Sequence, residues 1–127
     1  MAQLLTDADK RAEAGLIVTK AFLRALDMLD IPSEVASSLL QTSSEALHPS
    51  GPRSFALEPG TPQFERAVLF IRFFRALDSI YGGDIELMKA WLHGYNRALH
   101  DVPFNLLSSL RGLKDVIAYL DSRRAPL

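Results

Sequence analysis

Three histidines, His48, His93 and His100, are the residues of this 127-residue chain best suited by type to metal binding or general-base chemistry. None has the spacing that such chemistry needs, for instance two histidines four apart on one helix face, and there is no cysteine to complete a zinc site. Asp7 with Asp9, and Asp84 with Glu86, have the type of an acid–base pair, but each sits where a helix begins and where the dipole favours negative charge. Gly82-Gly83 lacks the flanking pattern of a phosphate-cradling loop and reads as a helix stop. The sequence therefore predicts no catalytic residue, no metal site, no cofactor and no enzyme. What remains is a set of residues suited to binding, concentrated after Trp91.

The elements that position those residues can be read from spacing. Asp84 is placed to cap a helix carrying Leu87, Met88, Trp91 and Leu92, and Gly94 is expected to end it in the left-handed conformation. Asn96 suits the turn that follows because its amide can satisfy loose backbone groups, and Ala98-Leu99 returns an apolar anchor to the core. Pro103 fits the first turn of a short helix with Leu106 and Leu107, and Ser109 fits the N-cap of a last helix. Leu113, Val116, Ile117 and Leu120 form the buried stripe of that helix. Gly112 lowers its helix propensity, which predicts a neighbour packed against bare backbone. Trp91 is expected mainly in the core, where truncation costs roughly 3 to 5 kcal/mol.

The series Trp91-Leu92, Asn96-x-Ala98-Leu99, Pro103, Leu106-Leu107, Gly112 and Val116 resembles the C-terminal toxin-binding domain of the MbcA/ParS/Xre antitoxins, small bacterial proteins that neutralise RES-domain toxins. That family usually has Asn-Pro-Ala-Leu-Gly-Gly where this chain has Asn96-Arg97-Ala98-Leu99-His100-Asp101. The resemblance implies a type II antitoxin that binds a RES-domain toxin acting on NAD, covers its active-site cleft and keeps the dinucleotide out. The residues that would contact the toxin are Trp91, Asn96, Arg97, Leu99, His100 and Asp101 around the turn, with Arg123 and Arg124 on the tail.

Upstream, residues Met1 to Val18 read as an arm with a short helical stretch after Thr6, interrupted at Gly15. Thr19 is a plausible N-cap for a helix to Leu29 with Phe22, Leu23, Leu26 and Leu29 on one side. Pro32 opens a helix with Val35, Ala36, Leu39 and Leu40 on its apolar face, Gln41-Thr42 breaks it, and Ser43 caps a third helix through Leu47. These three resemble the helix-turn-helix of Xre-type regulators. Pro49 stops the third helix early, and from Asp30 to Gly60 one arginine, Arg53, stands against Asp30, Glu34, Glu45 and Glu58. DNA affinity rests on cations that neutralise phosphate, so a degenerate unit kept as scaffold is the better reading. In the alternative, an operator-binding autorepressor that binds DNA weakly on its own, Ser43 and Ser44 are the DNA-contacting candidates.

Residues 49–62 form a proline-rich linker or ordered loop, and Thr61-Pro62 opens a helix to about Tyr81. Phe64, Val68, Ile71 and Phe74 lie on one side of it and Leu69, Phe73, Ala76 and Ile80 on the other, so it needs cover nearly all round. That predicts a bundle centre and a homodimer face at Leu69, Phe73 and Ile80. The expected fold is all-α: residues 1–60 as arm, degenerate Xre-like helix-turn-helix half and linker, 61–83 as central apolar helix, and 84–127 as toxin-binding domain. Apolar residues make up 48% of the chain and charged residues 23%, with net charge −1, which suits a core without disulfides and argues against a polyanion-coating protein. The longest apolar run, Ala67 to Ile71, cannot cross a bilayer, and the absence of cysteine and of a secretory signal points to the cytoplasm.

Overall fold

The helix that needed cover nearly all round finds most of it within one chain, with Glu65, Val68, Arg72, Arg75 and Ser79 left as an exposed stripe. In the computed structural model, which describes residues 6–47 and 55–124, α4 (Pro62–Tyr81) is wrapped by α1 (Asp7–Met28), α2 (Ser33–Leu40), α5 (Ile85–His93) and α6 (Leu110–Arg124). A short α3 (Ser44–Leu47) packs on α2, and a 3-10 helix (Pro103–Leu106) lies between α5 and α6. The described residues are all-α, with an isolated Asn96–Asp101 bridge as the one extended pairing.

Sequence chemistry accounts for the ends of α4. Thr61 Oγ1 accepts the Phe64 N–H at 3.2 Å, Pro62 supplies the preset first turn, and Gly82 closes the helix at φ 59. Ala67, Phe70, Phe73, Ala76 and Leu77 are buried along it. Phe70 meets Phe22 of α1 edge-to-face at 5.4 Å between centroids and Phe73 at 5.3 Å, the arrangement that ring quadrupoles favour. Arg66 Nη1 donates to the Leu39 carbonyl at 2.9 Å, which satisfies a loose carbonyl at the end of α2.

The predicted dimer face is corrected here. Phe73 is 0% exposed inside the single chain, and Leu69 and Ile80 are half-buried against the same core. A charge at Phe73 would enter the interior, where it has no partner.

The arm is also corrected. α1 is one helix from Asp7, opened by a capping box in which Asp9 N–H donates to Thr6 Oγ1 at 3.0 Å and Thr6 N–H to Asp9 Oδ2 at 3.2 Å. Gly15 does not break it. A Cβ there would collide with the Leu57 carbonyl, so glycine lets the 55–59 segment lie directly on the helix. Thr19 is not a cap but a mid-helix docking post: its hydroxyl donates to the Gly15 carbonyl at 2.6 Å and accepts the Leu57 N–H at 2.8 Å. α2 and the left-handed Gln41 turn follow expectation, and Ser43 Oγ accepts the Glu45 N–H at 3.2 Å at the start of α3. His48, the stop at Pro49, the stretch around Pro52 and Arg53, the first residues of the arm and the tail beyond Arg124 lie outside the described residues.

At the other end, Ser109 caps α6 through its hydroxyl to the Gly112 N–H at 3.1 Å, and Leu113, Val116, Ile117 and Leu120 are buried. A Cβ on Gly112 would collide with the Leu106 carbonyl, so the 3-10 helix rests on bare α6 backbone. Gly112→Ala should therefore cost about 1–3 kcal/mol, the range for overpacking a close contact. Chemical denaturation with an unchanged m-value is the measurement.

Candidate interaction site

Asp84 caps α5 through Oδ1 to the Leu87 N–H at 3.2 Å, and burial of Met88 and Leu92 fixes which way the helix faces. Trp91 then lies half-buried at the edge of the core. The helix ends at Gly94, which is not left-handed as predicted but extended, at φ −93 and ψ 148. An extended residue here carries the chain away from the helix and puts Tyr95 into solvent at 66% exposure.

The turn is closed by the two polar residues at its ends. Asn96 and Asp101 exchange backbone hydrogen bonds at 2.9 and 3.3 Å, and Asn96 Oδ1 accepts the Leu99 N–H at 3.0 Å. Asp101 Oδ1 accepts from Val102 N at 2.6 Å and from Asn105 Nδ2 at 3.0 Å, tying the turn to the 3-10 helix. His100 takes φ 57, the left-handed conformation that favours glycine, at the position where the resembling family carries the first of its two glycines.

Against this turn stands α6. The Tyr119 ring is near-parallel to Trp91, at 14° and 6.2 Å between centroids, and Arg123 Nη1 donates to the Tyr119 hydroxyl at 2.9 Å. The result is an open cleft of about 480 Å³ lined by Trp91, Gly94, Tyr95, Asn96, Arg97, Ala98, Tyr119 and Arg123. Hydrogen bonding from Arg123, then from Asn96, holds the Tyr119 phenol below its ordinary value, and the Arg123 charge adds to this.

Four of the predicted contact residues, Trp91, Asn96, Arg97 and Arg123, are thus brought together. Four are not. Leu99 packs on the core, Asp101 is engaged within the turn, and His100 and Arg124 are exposed outside the cleft lining. Tyr95 and Tyr119 are additions that sequence reasoning missed. The one signal for Tyr119 was its position four residues before Arg123, where side chains meet on a helix face. His93 and His100 do not converge: His93 sits 4.8 Å from the Phe104 ring, and no cluster of three metal-ligating side chains occurs among the described residues.

Such a site, a shallow cleft of tryptophan, tyrosine and arginine on an all-α frame, has the composition of a protein-binding surface. The family model of the antitoxin Xre/MbcA/ParS C-terminal toxin-binding domain matches residues 76–125, which run from the C-terminal end of α4 through α6 and contain the whole cleft. The match supports an antitoxin with a toxin as partner. No curated protein matches the chain. No helix among the described residues is long and apolar enough to cross a membrane.

The Tyr119 shift makes a pH prediction. A depressed folded-state value means that the phenolate favours the fold; this contribution is fully present above the ordinary value near 10 and is lost as pH falls through the depressed one. Ultraviolet titration should find one tyrosine ionising early, and Arg123→Met should move it upward. The stability gap between the two proteins should widen as pH is raised through that window.

Proposed function

We propose that this chain neutralises a RES-domain toxin acting on NAD by laying the α5–turn–α6 surface over the toxin's active-site cleft. The observation that supports this reading is the cleft in which half-buried Trp91 and Tyr119 meet exposed Tyr95 and Arg123, inside the segment that matches a toxin-binding domain. Binding energy at interfaces concentrates in such residues when water is excluded around them. The frame beneath is rigid, with buried Met88, Leu92, Leu113, Val116 and Leu120, so little ordering is needed on docking. No chemistry is asked of this chain. Inhibition follows from occupying space that the dinucleotide needs.

The test is co-expression of each variant with the toxin encoded by the neighbouring reading frame, with growth and cellular NAD as readouts and circular dichroism of the purified antitoxin alongside. Truncation after Asp121 removes Arg123 and keeps the buried anchor Leu120, so helical content should be retained while protection weakens. Trp91→Ala should lose helical content as well. Full protection by the truncated chain would exclude the tail from the inhibitory surface. A wild type that leaves NAD depleted would exclude the reading altogether.

Self-association and operator binding are proposed as secondary properties. With Phe73 in the core, the exposed apolar residues suited to a homodimer are Leu16 and Ile17 on α1, at 54% and 61% exposure. Leu16 also lines a groove of about 570 Å³ against Leu57 and Pro59. The α2–Gln41–α3 pair has the turn of a helix-turn-helix, but Glu34 and Glu45 flank it and the hydroxyl of Ser43 is taken by its own helix. Light scattering should show a dimer that Ile17→Glu dissociates, and a gel shift on upstream DNA should be weak at physiological salt. A monomeric wild type, or tight specific DNA binding lost on mutating Ser44, would reverse these two assignments.

A further inference from the structure

The side-chain polar groups of the cleft are weighted toward donors. The Tyr119 oxygen accepts from Arg123 and is faced by the Asn96 amide, whose own oxygen is taken by the Leu99 N–H. No acceptor among the described residues takes the phenol proton, so it is free to donate. Neither Arg97 nor Arg123 forms an ion pair with any described carboxylate, and no aspartate or glutamate lines the cleft. Two arginines and a tyrosine hydroxyl therefore belong to the lining of one concavity, with Trp91 and Tyr95 as its apolar wall.

Building on the toxin-binding reading above, we infer that the cleft receives an aspartate or glutamate side chain of the partner protein. Its carboxylate is held by Arg97, Arg123 and the Tyr119 hydroxyl, and its aliphatic stem lies against Trp91 and Tyr95. The planar fork of arginine matches a carboxylate at two points, and the aromatic wall accepts what lies behind it. A nucleic-acid backbone fits less well. Asp84, Glu86, Asp101, Asp115 and Asp121 are interleaved with the basic residues of this half, so no basic stripe tracks a row of phosphates.

The full chain is titrated calorimetrically with the purified toxin encoded by the neighbouring reading frame. Arg97→Glu and Arg123→Glu should each weaken binding by about tenfold or more, because the reversal sets like charges face to face. Arg123→Gln should weaken it less than the reversal, and circular dichroism should show every variant folded, since both arginines are exposed. Selection for toxin mutants that restore binding to Arg123→Glu should return aspartate or glutamate changed to lysine or arginine. Charge-reversed variants that bind as tightly as wild type would overturn the acidic occupant while leaving the antitoxin reading intact. No toxin binding by the wild type would overturn both. The chain has one tryptophan, Trp91, so its fluorescence gives a separate arm. Saturable quenching by inorganic phosphate or a DNA duplex, abolished in Arg123→Glu, would give the cleft to phosphate and overturn the carboxylate.

Discussion

The burial of α4 on all sides but one exposed stripe is the constraint on which the rest of this protein depends. A helix with phenylalanines at 64, 70, 73 and 74 cannot face water, and a chain of this length has few elements with which to cover it. The solution places α1, α2, α5 and α6 around it, so that one buried cluster runs from Phe22 to Leu120. Each outer helix needs only a single apolar stripe. Their other faces are left free for charge and for binding.

Two bare-backbone contacts let these helices and loops approach closely enough. At Gly15 the Leu57 carbonyl lies where a side chain would be, and Thr19 then satisfies the Leu57 amide that this approach removes from water. At Gly112 the Leu106 carbonyl does the same on α6. In both places a glycine that weakens a helix by roughly 1 kcal/mol is offset by packing that no other residue permits. Surface ion pairs such as Arg72–Asp121 at 2.7 Å and Lys89–Asp30 at 3.1 Å tie neighbouring elements together but contribute little beside this.

The interaction cleft is a consequence of the same frame. Packing of α5 and α6 against α4 and the 3-10 helix sets the distance between Trp91 and Tyr119, and the Asn96–Asp101 bridge holds the intervening turn where Asn96 faces Tyr119. Binding residues drawn from a helix end, a turn and another helix are thereby fixed before a partner arrives, which reduces the entropy lost on association. The cleft's excess of donors gives it a preference in charge as well as in shape.

Much of this was legible in the order of residues alone, because caps and stripes are local. Thr61, Asp84 and Ser109 each mark a helix start through a hydrogen bond made within a few residues, Pro62 and Pro103 mark one through a preset φ, and Leu113, Val116, Ile117 and Leu120 mark a buried face by period. The toxin-binding segment could be recognised for the same reason. Tertiary contacts decided what local rules could not. Gly15 and Thr19 look like a break and a cap until Leu57 is laid across them, thirty-eight residues from Thr19 in sequence. The apolar belt of α4 looks like a dimer face until α1 and α6 fill it. Tyr119 reads as an ordinary helix residue, and only the fold brings Asn96, Arg123 and Trp91 around its ring, because distances across a core follow from packing and not from spacing along the chain.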